Sequence, residues 1–119
     1  MRYISHRGNL DGINLEFENS PDYISFALRQ WYDCEIDVWL KDDKWFLGHD
    51  DPIYPIERRF LMQENLWIHA KNIIALHQLL ELKLHCFWHD CDKYTVTSRG
   101  IIWAHPSVFD YTKNTVCVL

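Results

Sequence analysis

Residues 33–51 read DCEIDVWLKDDKWFLGHDD. The first eight of them alternate with a period of two, the signature of a strand. Glu35 and Asp37 then stand side by side on one face, with Ile36, Val38 and Leu40 on the other. Two carboxylates so placed repel, and a purely structural strand avoids the pairing. The pair therefore asks for a cation, or for chemistry that uses it. KDDK at 41–44 is a turn and WFLGHD at 45–50 returns from it, so 35–49 reads as a hairpin-like excursion.

Working outward, RYIS at 2–5 is a short strand that ends in the polar run HRGNLDG. SPDYISFALRQ, 20–30, reads as a helix: Ser20 can cap it, Pro21 suits its first position, and Ile24, Ala27 and Leu28 fall at helical spacing. DPIYPIERRF carries two prolines and reads as a loop leading into a short turn or helix. LWIHAK, 66–71, is a third strand; NIIALHQLLELK, 72–83, is an amphipathic helix with Asn72 at its cap; HCFWHD, 85–90, is a fourth strand. One or two short strands follow around Ser98–Gly100, and NTVCVL, 114–119, is the last. Strands alternating with helices predict a parallel α/β sheet. A complete eightfold barrel takes about 200–250 residues. The expectation for this chain is a single domain that is a trimmed barrel, a partial barrel or a piece of something longer. Such a sheet needs either another subunit over it, as in a homo-oligomer, or closure by unusually short connections. The aromatics from Trp67 to Tyr111 are the expected material for that closure.

Composition narrows the function. The chain is 48% apolar and 15% aromatic, enough for a core and against disorder. Its net charge of −5 excludes a general nucleic-acid binder, which carries a basic face. No run approaches a membrane span, and nothing near Met1 has the apolar core of a signal peptide. Cys34, Cys86, Cys91 and Cys117 form no C-x-x-C pair and read as reduced thiols of a cytoplasmic protein. CFWHDC offers Cys86, His89 and Cys91 as a zinc cluster, but the spacing matches no standard ligand pattern. His77, on the second helix, reads as a surface residue; Trp88 and Trp103 read as packing, and Asp42, Asp43, Asp90 and Asp92 as solvated turn residues. His85, His89 and His105 fall near strand ends and receive no role.

The first fifty residues carry the chemistry. His6 and Arg7 follow strand one, Glu35 and Asp37 lie on strand two, and His49 follows the return from it. In α/β folds the loops at the C-terminal ends of neighbouring strands converge on one site. Two histidines can take a proton from an attacking hydroxyl and give one to a leaving oxygen. An arginine and a divalent cation neutralise phosphoryl oxygens. The set suits phosphodiester cleavage.

HRGN, then EN at 18–19, then EIDVWLKDDKWFLGHDD resembles the glycerophosphodiester phosphodiesterase family in order and spacing over residues 4–51. LWIHAKN continues the resemblance weakly. The resemblance implies a shortened or partial TIM-type (β/α) barrel and hydrolysis of a small glycerol-linked phosphodiester with a bound divalent metal, Mg²⁺ or Ca²⁺. It implies that His6 and His49 are the acid–base pair, that Arg7 and Lys71 bind phosphate, and that Glu35 and Asp37 are metal ligands supported by Glu18 and Asn19. His69 stands where the family has a third metal-binding acid. A histidine there lowers the negative charge and favours Mn²⁺ or Zn²⁺. Two alternatives use the same residues: a non-catalytic phosphodiester- or polyol-phosphate-binding relative with a degenerate metal site, and a lyase that stops at the cyclic phosphate.

Overall fold

A computed structural model describes residues 3–105, 110 and 112–117. The second strand organises it. β1 (Ile4–His6) runs parallel to β2 (Asp33–Lys41), and α1 (Pro21–Arg29) crosses between them. β3 (Lys44–Leu47) folds back antiparallel on β2, and β4 (Tyr54–Ile56) folds back on β3. After the one-turn helix α2 (Arg58–Leu61) the chain returns as β5 (Leu66–Ala70), parallel to β2, and α3 (Ile73–Glu81) leads to β6 (Cys86–Phe87), parallel to β5. The sheet order is β4-β3-β2-β5-β6, with β1 also on β2. Odd-numbered residues of β2 bond to β1 and to the end of β3: Asp33 N donates to Tyr3 O, Arg7 N to Glu35 O and Gly48 N to Asp37 O. Even-numbered residues bond to β5, as Cys34 N does to Asn65 O. β1 and β3 thus lie end to end along one edge of β2.

The alternation in β2 sorts the two faces. Cys34, Ile36, Val38 and Leu40 join Leu66, Ile68 and Ala70 of β5 in the main core, closed by Ile24 and Ala27 of α1 and Ala75 and Leu79 of α3. Asn72 caps α3 as its sequence predicts, accepting from Ala75 N at 3.2 Å. Its side chain also exchanges bonds with the Leu40 backbone, tying the helix start to β2. Ser20 occupies the cap position of α1, but its hydroxyl makes no capping bond.

The expected shortened or partial TIM-type barrel is not what forms. Among the described residues there are three helices and two mixed sheets, and no strand closes the larger sheet on itself. The physical reason lies at β6. Cys86 N donates to Ser98 Oγ at 2.9 Å, Ser98 N donates to Cys86 O at 2.8 Å, and Ser98 Oγ donates to Leu84 O at 3.0 Å. A turn therefore occupies the edge where the next parallel strand of a barrel would pair. β7 (Tyr94–Val96) and β8 (Ile102–Ala104) form a hairpin around that turn, and β9 (Thr115–Cys117) adds to β8 in parallel. Trp103 of this small sheet packs with Trp67 and Phe87 in a second core. The aromatic closure expected from Trp67 onward is thus a second sheet; Tyr111 lies outside the described residues. At the opposite edge β4 was expected to be loop because of its prolines. Pro55 instead pairs with Phe46 on an outermost strand, a place where a missing N–H is tolerated. No helix among the described residues is long and apolar enough to cross a membrane.

His85 gives the fold a pH dependence. It is buried, accepts or donates at 2.8 Å with Thr97 Oγ1, and lies 4.3 Å from the Trp67 ring. Burial, then the Arg99 guanidinium, pushes its imidazole down to about 4. The unfolded chain binds a proton near pH 6.5 and the folded chain does not, so this contribution is whole above about 6.5 and is lost as pH falls towards 4. Between pH 7 and 4.5 the native protein should lose roughly 2 kcal/mol more than His85→Gln, after discounting for partial solvent screening. Urea unfolding of both proteins at the two pH values measures it; parallel losses would assign the titration elsewhere.

Candidate functional site

The period-two face of β2 opposite the helices carries the charged pair. Register places His6 beside Glu35 and His69 beside Asp37, all on that face. Because β1 ends where β3 ends, His6 and Arg7 leave one strand at the point where Gly48 and His49 leave the other. The crevice at this change of edge partner brings residues 6–7, 37 and 48–49 together, as open α/β sheets do at their switch points.

Glu35, Asp37 and His69 each offer an atom within 4.8 Å of the others. His69 Nδ1 lies 3.0 Å from Asp37 Oδ1 and 3.7 Å from Glu35 Oε2. The other ring nitrogen, Nε2, is 2.8 Å from the carbonyl oxygen of His89. A carbonyl only accepts, so Nε2 carries the proton and Nδ1 of the neutral ring turns its lone pair to the carboxylates. Metal-binding histidines are held in this way. Glu35 Oε1 and Asp37 Oδ1 are buried without a hydrogen-bond partner. Two buried carboxylate oxygens beside an oriented imidazole fit a divalent cation; with no metal bound, a proton on His69 Nδ1 faces Asp37 Oδ1 instead.

Asp37 is fully buried and held on its other side. Asn19 clamps it with both ends of one amide: Nδ2 donates to Asp37 Oδ2 at 2.9 Å, and Asp37 N donates to Asn19 Oδ1 at 3.0 Å. Arg7 Nε lies 3.2 Å from Asp37 Oδ2, an ion pair without hydrogen-bond alignment, while Arg7 Nη1 donates to Glu18 Oε1 at 3.1 Å. Glu18 also accepts from Asn9 Nδ2 at 2.9 Å. Arg7 and Asn19 both adopt left-handed backbone, with φ of 59° and 65°. That conformation disfavours non-glycine residues by roughly 1–2 kcal/mol each. The chain accepts it where it aims these two side chains at Asp37.

Charges in this cluster are set by their neighbours. Burial, then Asp37, pushes the Glu35 carboxyl up to about 7. Burial opposes ionisation of Asp37 too, but His69, Asn19 and Arg7 outweigh it and hold the carboxyl down to about 2. Burial also opposes a charge on His69, yet the two carboxylates outweigh it and lift the imidazole to about 9. Without a metal, a proton on His69 supplies the missing positive charge. Burial, then Arg7, holds His6 down to about 4, so it is neutral near pH 7 with its Nε2 3.6 Å from Glu35 Oε1.

A cavity of about 450 Å³ opens over this cluster. His6, Arg7, Glu35, His49, His69 and Lys71 line it together. His49 is partly exposed, with Nδ1 2.9 Å from Asp50 Oδ1. Asp37 is not in the wall, and Glu18 and Asn19 line an adjoining cavity that shares Arg7 and His49. Five further residues complete the wall: Phe87, His89, Asp90, Trp103 and His105. The sequence alone assigns no role to His89 and His105, packing to Trp103 and a solvated turn to Asp90. Phe87 stacks on the His69 ring at 5.2 Å and 11°. His89 holds His69 through its carbonyl, and burial, then His69, lowers its own imidazole. Asn9, to which the sequence gives no role, also belongs here through Glu18, and it accepts from Tyr23 OH. The Cys86–His89–Cys91 reading does not assemble: Cys86 is buried in the helix-side core, Cys91 is exposed, and His89 faces the cavity. Comparison with protein-family models, with curated proteins and with solved structures gave no match.

Proposed function

We propose that the chain is a divalent-metal-dependent phosphodiesterase of the glycerophosphodiester type, acting on a small phosphodiester in the 450 Å³ cavity. The observation that carries this reading is the Glu35–Asp37–His69 cluster with its orphan oxygens, set beside Arg7 and two histidines in one cavity. Glu35, Asp37 and His69 would hold the cation, which when bound supplies positive charge to the phosphoryl oxygens. Arg7 and Lys71 bind the phosphate from the protein side. His6, neutral near pH 7, takes the proton from an attacking water or substrate hydroxyl as its oxygen bonds to phosphorus. His49, oriented by Asp50, gives a proton to the alcohol oxygen as the P–O bond breaks. Water as attacker leaves a phosphomonoester and an alcohol; a neighbouring hydroxyl as attacker leaves a cyclic phosphate. The likeness of residues 4–51 to the glycerophosphodiester phosphodiesterases supports the substrate class. A purely binding role leaves a pair of proton-transfer groups unused.

Metal titration tests the centre. Mn²⁺ should bind the native protein, and Glu35→Gln should weaken it about tenfold to a hundredfold, since one of two anionic ligands is lost. His69→Asp, which adds an acid, should shift preference from Zn²⁺ towards Mg²⁺ and Ca²⁺. Calorimetry that shows no difference among the three proteins would remove the metal role. Metal binding without hydrolysis of any soluble phosphodiester would favour the non-catalytic binding relative.

A further inference from the structure

A second cavity, about 290 Å³, adjoins the first and shares Arg7 and His49 with it. Its character differs. Leu15 and Ile53 line it, 83% and 57% exposed, and Tyr54 and Gly48 complete that side. Ile13 and Phe17 flank Leu15 on the same loop, 81% and 47% exposed. Single exposed apolar side chains are ordinary, but these come from two separate loops and meet beside the arginine of the phosphate site. Tyr54 OH reaches the Glu16 carbonyl at 3.4 Å, so the two loops are joined across the cavity. Of the charged residues that line it, Arg7 lies at the wall shared with the first cavity, where it pairs with Glu18, and Asp50 and Asp51 are exposed and acidic. An anionic group would be repelled there, whereas an uncharged apolar chain gains contact with Leu15 and Ile53.

We infer that this second cavity is a subsite for an apolar alcohol arm of the phosphodiester, so that the substrate is an amphiphile with its phosphate at Arg7 and its chain along Leu15 and Ile53. The inference rests on the phosphodiesterase reading for its chemistry, and on the shared lining for its geometry. A phosphodiester seated at Arg7 has two ester oxygens. One can project towards the cation-binding cluster, and the other then leads past His49 into the apolar cavity. A charged arm such as a sugar phosphate would meet Asp50 and Asp51. An alkyl or acyl arm meets Leu15 and Ile53.

Two measurements on the full chain test it, with Mn²⁺ present. The first is release of the alkyl alcohol from glycerol alkyl phosphates, methyl to hexyl, kept below their micelle concentrations. Burying part of each methylene should raise kcat/KM about twofold per carbon, roughly thirtyfold from methyl to hexyl. The second is binding of methyl and hexyl phosphate monoesters by calorimetry, which needs no turnover. In the double variant Leu15→Ser/Ile53→Ser the hexyl-to-methyl ratio, taken on that protein alone, should fall towards one in both measurements. Hydrolysis with no dependence on chain length in the native protein would overturn the subsite and leave the phosphodiesterase reading intact. Chain-length-dependent binding with no hydrolysis would keep the subsite and overturn the reading. A chain-length effect that survives the double variant undiminished would place the arm elsewhere and overturn the proposal. So would a native dimer, seen by light scattering, that the double variant dissociates, because the apolar wall would then be a contact between copies.

Discussion

Replacing His6 with alanine is expected to lower turnover of a soluble phosphodiester by roughly 10²–10⁴-fold, the usual size of an acid–base contribution. The geometry separates this loss from a collapse of the site. His6 approaches Glu35 only to 3.6 Å, beyond hydrogen-bond range, whereas the buried Asp37 is fixed by Asn19, Arg7 and His69. His6→Ala should therefore retain its Mn²⁺ affinity within about threefold, while Glu35→Gln loses it. Because His6 lines an open cavity, added imidazole should restore part of the lost rate. Turnover close to that of the native protein would show that His6 moves no proton. Loss of metal binding together with turnover would show that its role is to shape Glu35.

The largest structural effect is expected at Gly48. Its φ is +155°, and a β-carbon there would fall onto the backbone carbonyl oxygen of Asp51 while crowding Ile53 N at 3.1 Å. Backbone cannot swing away as a side chain can. Gly48 N also donates to Asp37 O, and its carbonyl accepts from Trp39 Nε1 at 2.7 Å, so any shift disturbs the strand that carries the metal-site carboxylates. Gly48→Ala should cost roughly 3 kcal/mol or more, in the range reserved for clashes and strain. Gly12→Ala is the control: φ is +87°, with nothing within 4 Å of the added carbon. It should cost only the left-handed penalty, about 1 kcal/mol. Urea unfolding of both variants decides it; equal costs would mean that residues 48–53 relax and the close approach is not enforced.

The two unequal halves of the chain differ in how much their sequence reveals. Period-two alternation in DCEIDVWL places Glu35 and Asp37 on one face without any knowledge of neighbours, and IHAK puts His69 and Lys71 on a shared face for the same reason. Both features are local. Closure of the sheet is not: a strand–helix alternation reads alike in an open sheet and in a barrel. What ends this sheet is a serine hydroxyl in TSRG, which the sequence presents only as a turn. The same limit hid part of the cavity wall. Trp103 and His105 reach it because a hairpin folds back over β5 and β6, and no spacing within residues 94–105 encodes that return. Proline usually argues against a strand, so the sequence does not show β4; its tolerance at an outer edge depends on a neighbour nine residues away.

The turn on β6 also bears on how the molecule behaves in a crowded solution. An unpaired strand edge is an invitation to a second chain, and growth from such an edge leads to insoluble stacks. Here one end of the larger sheet is sealed by Ser98, which saturates the Cys86 N–H and carbonyl. The other ends in a three-residue strand with a proline at its centre. Neither seal relies on a partner molecule. Along the path from β4 to β6, the Ser98 hydroxyl and the Pro55 imino nitrogen thus leave a neighbouring chain fewer backbone groups to pair with.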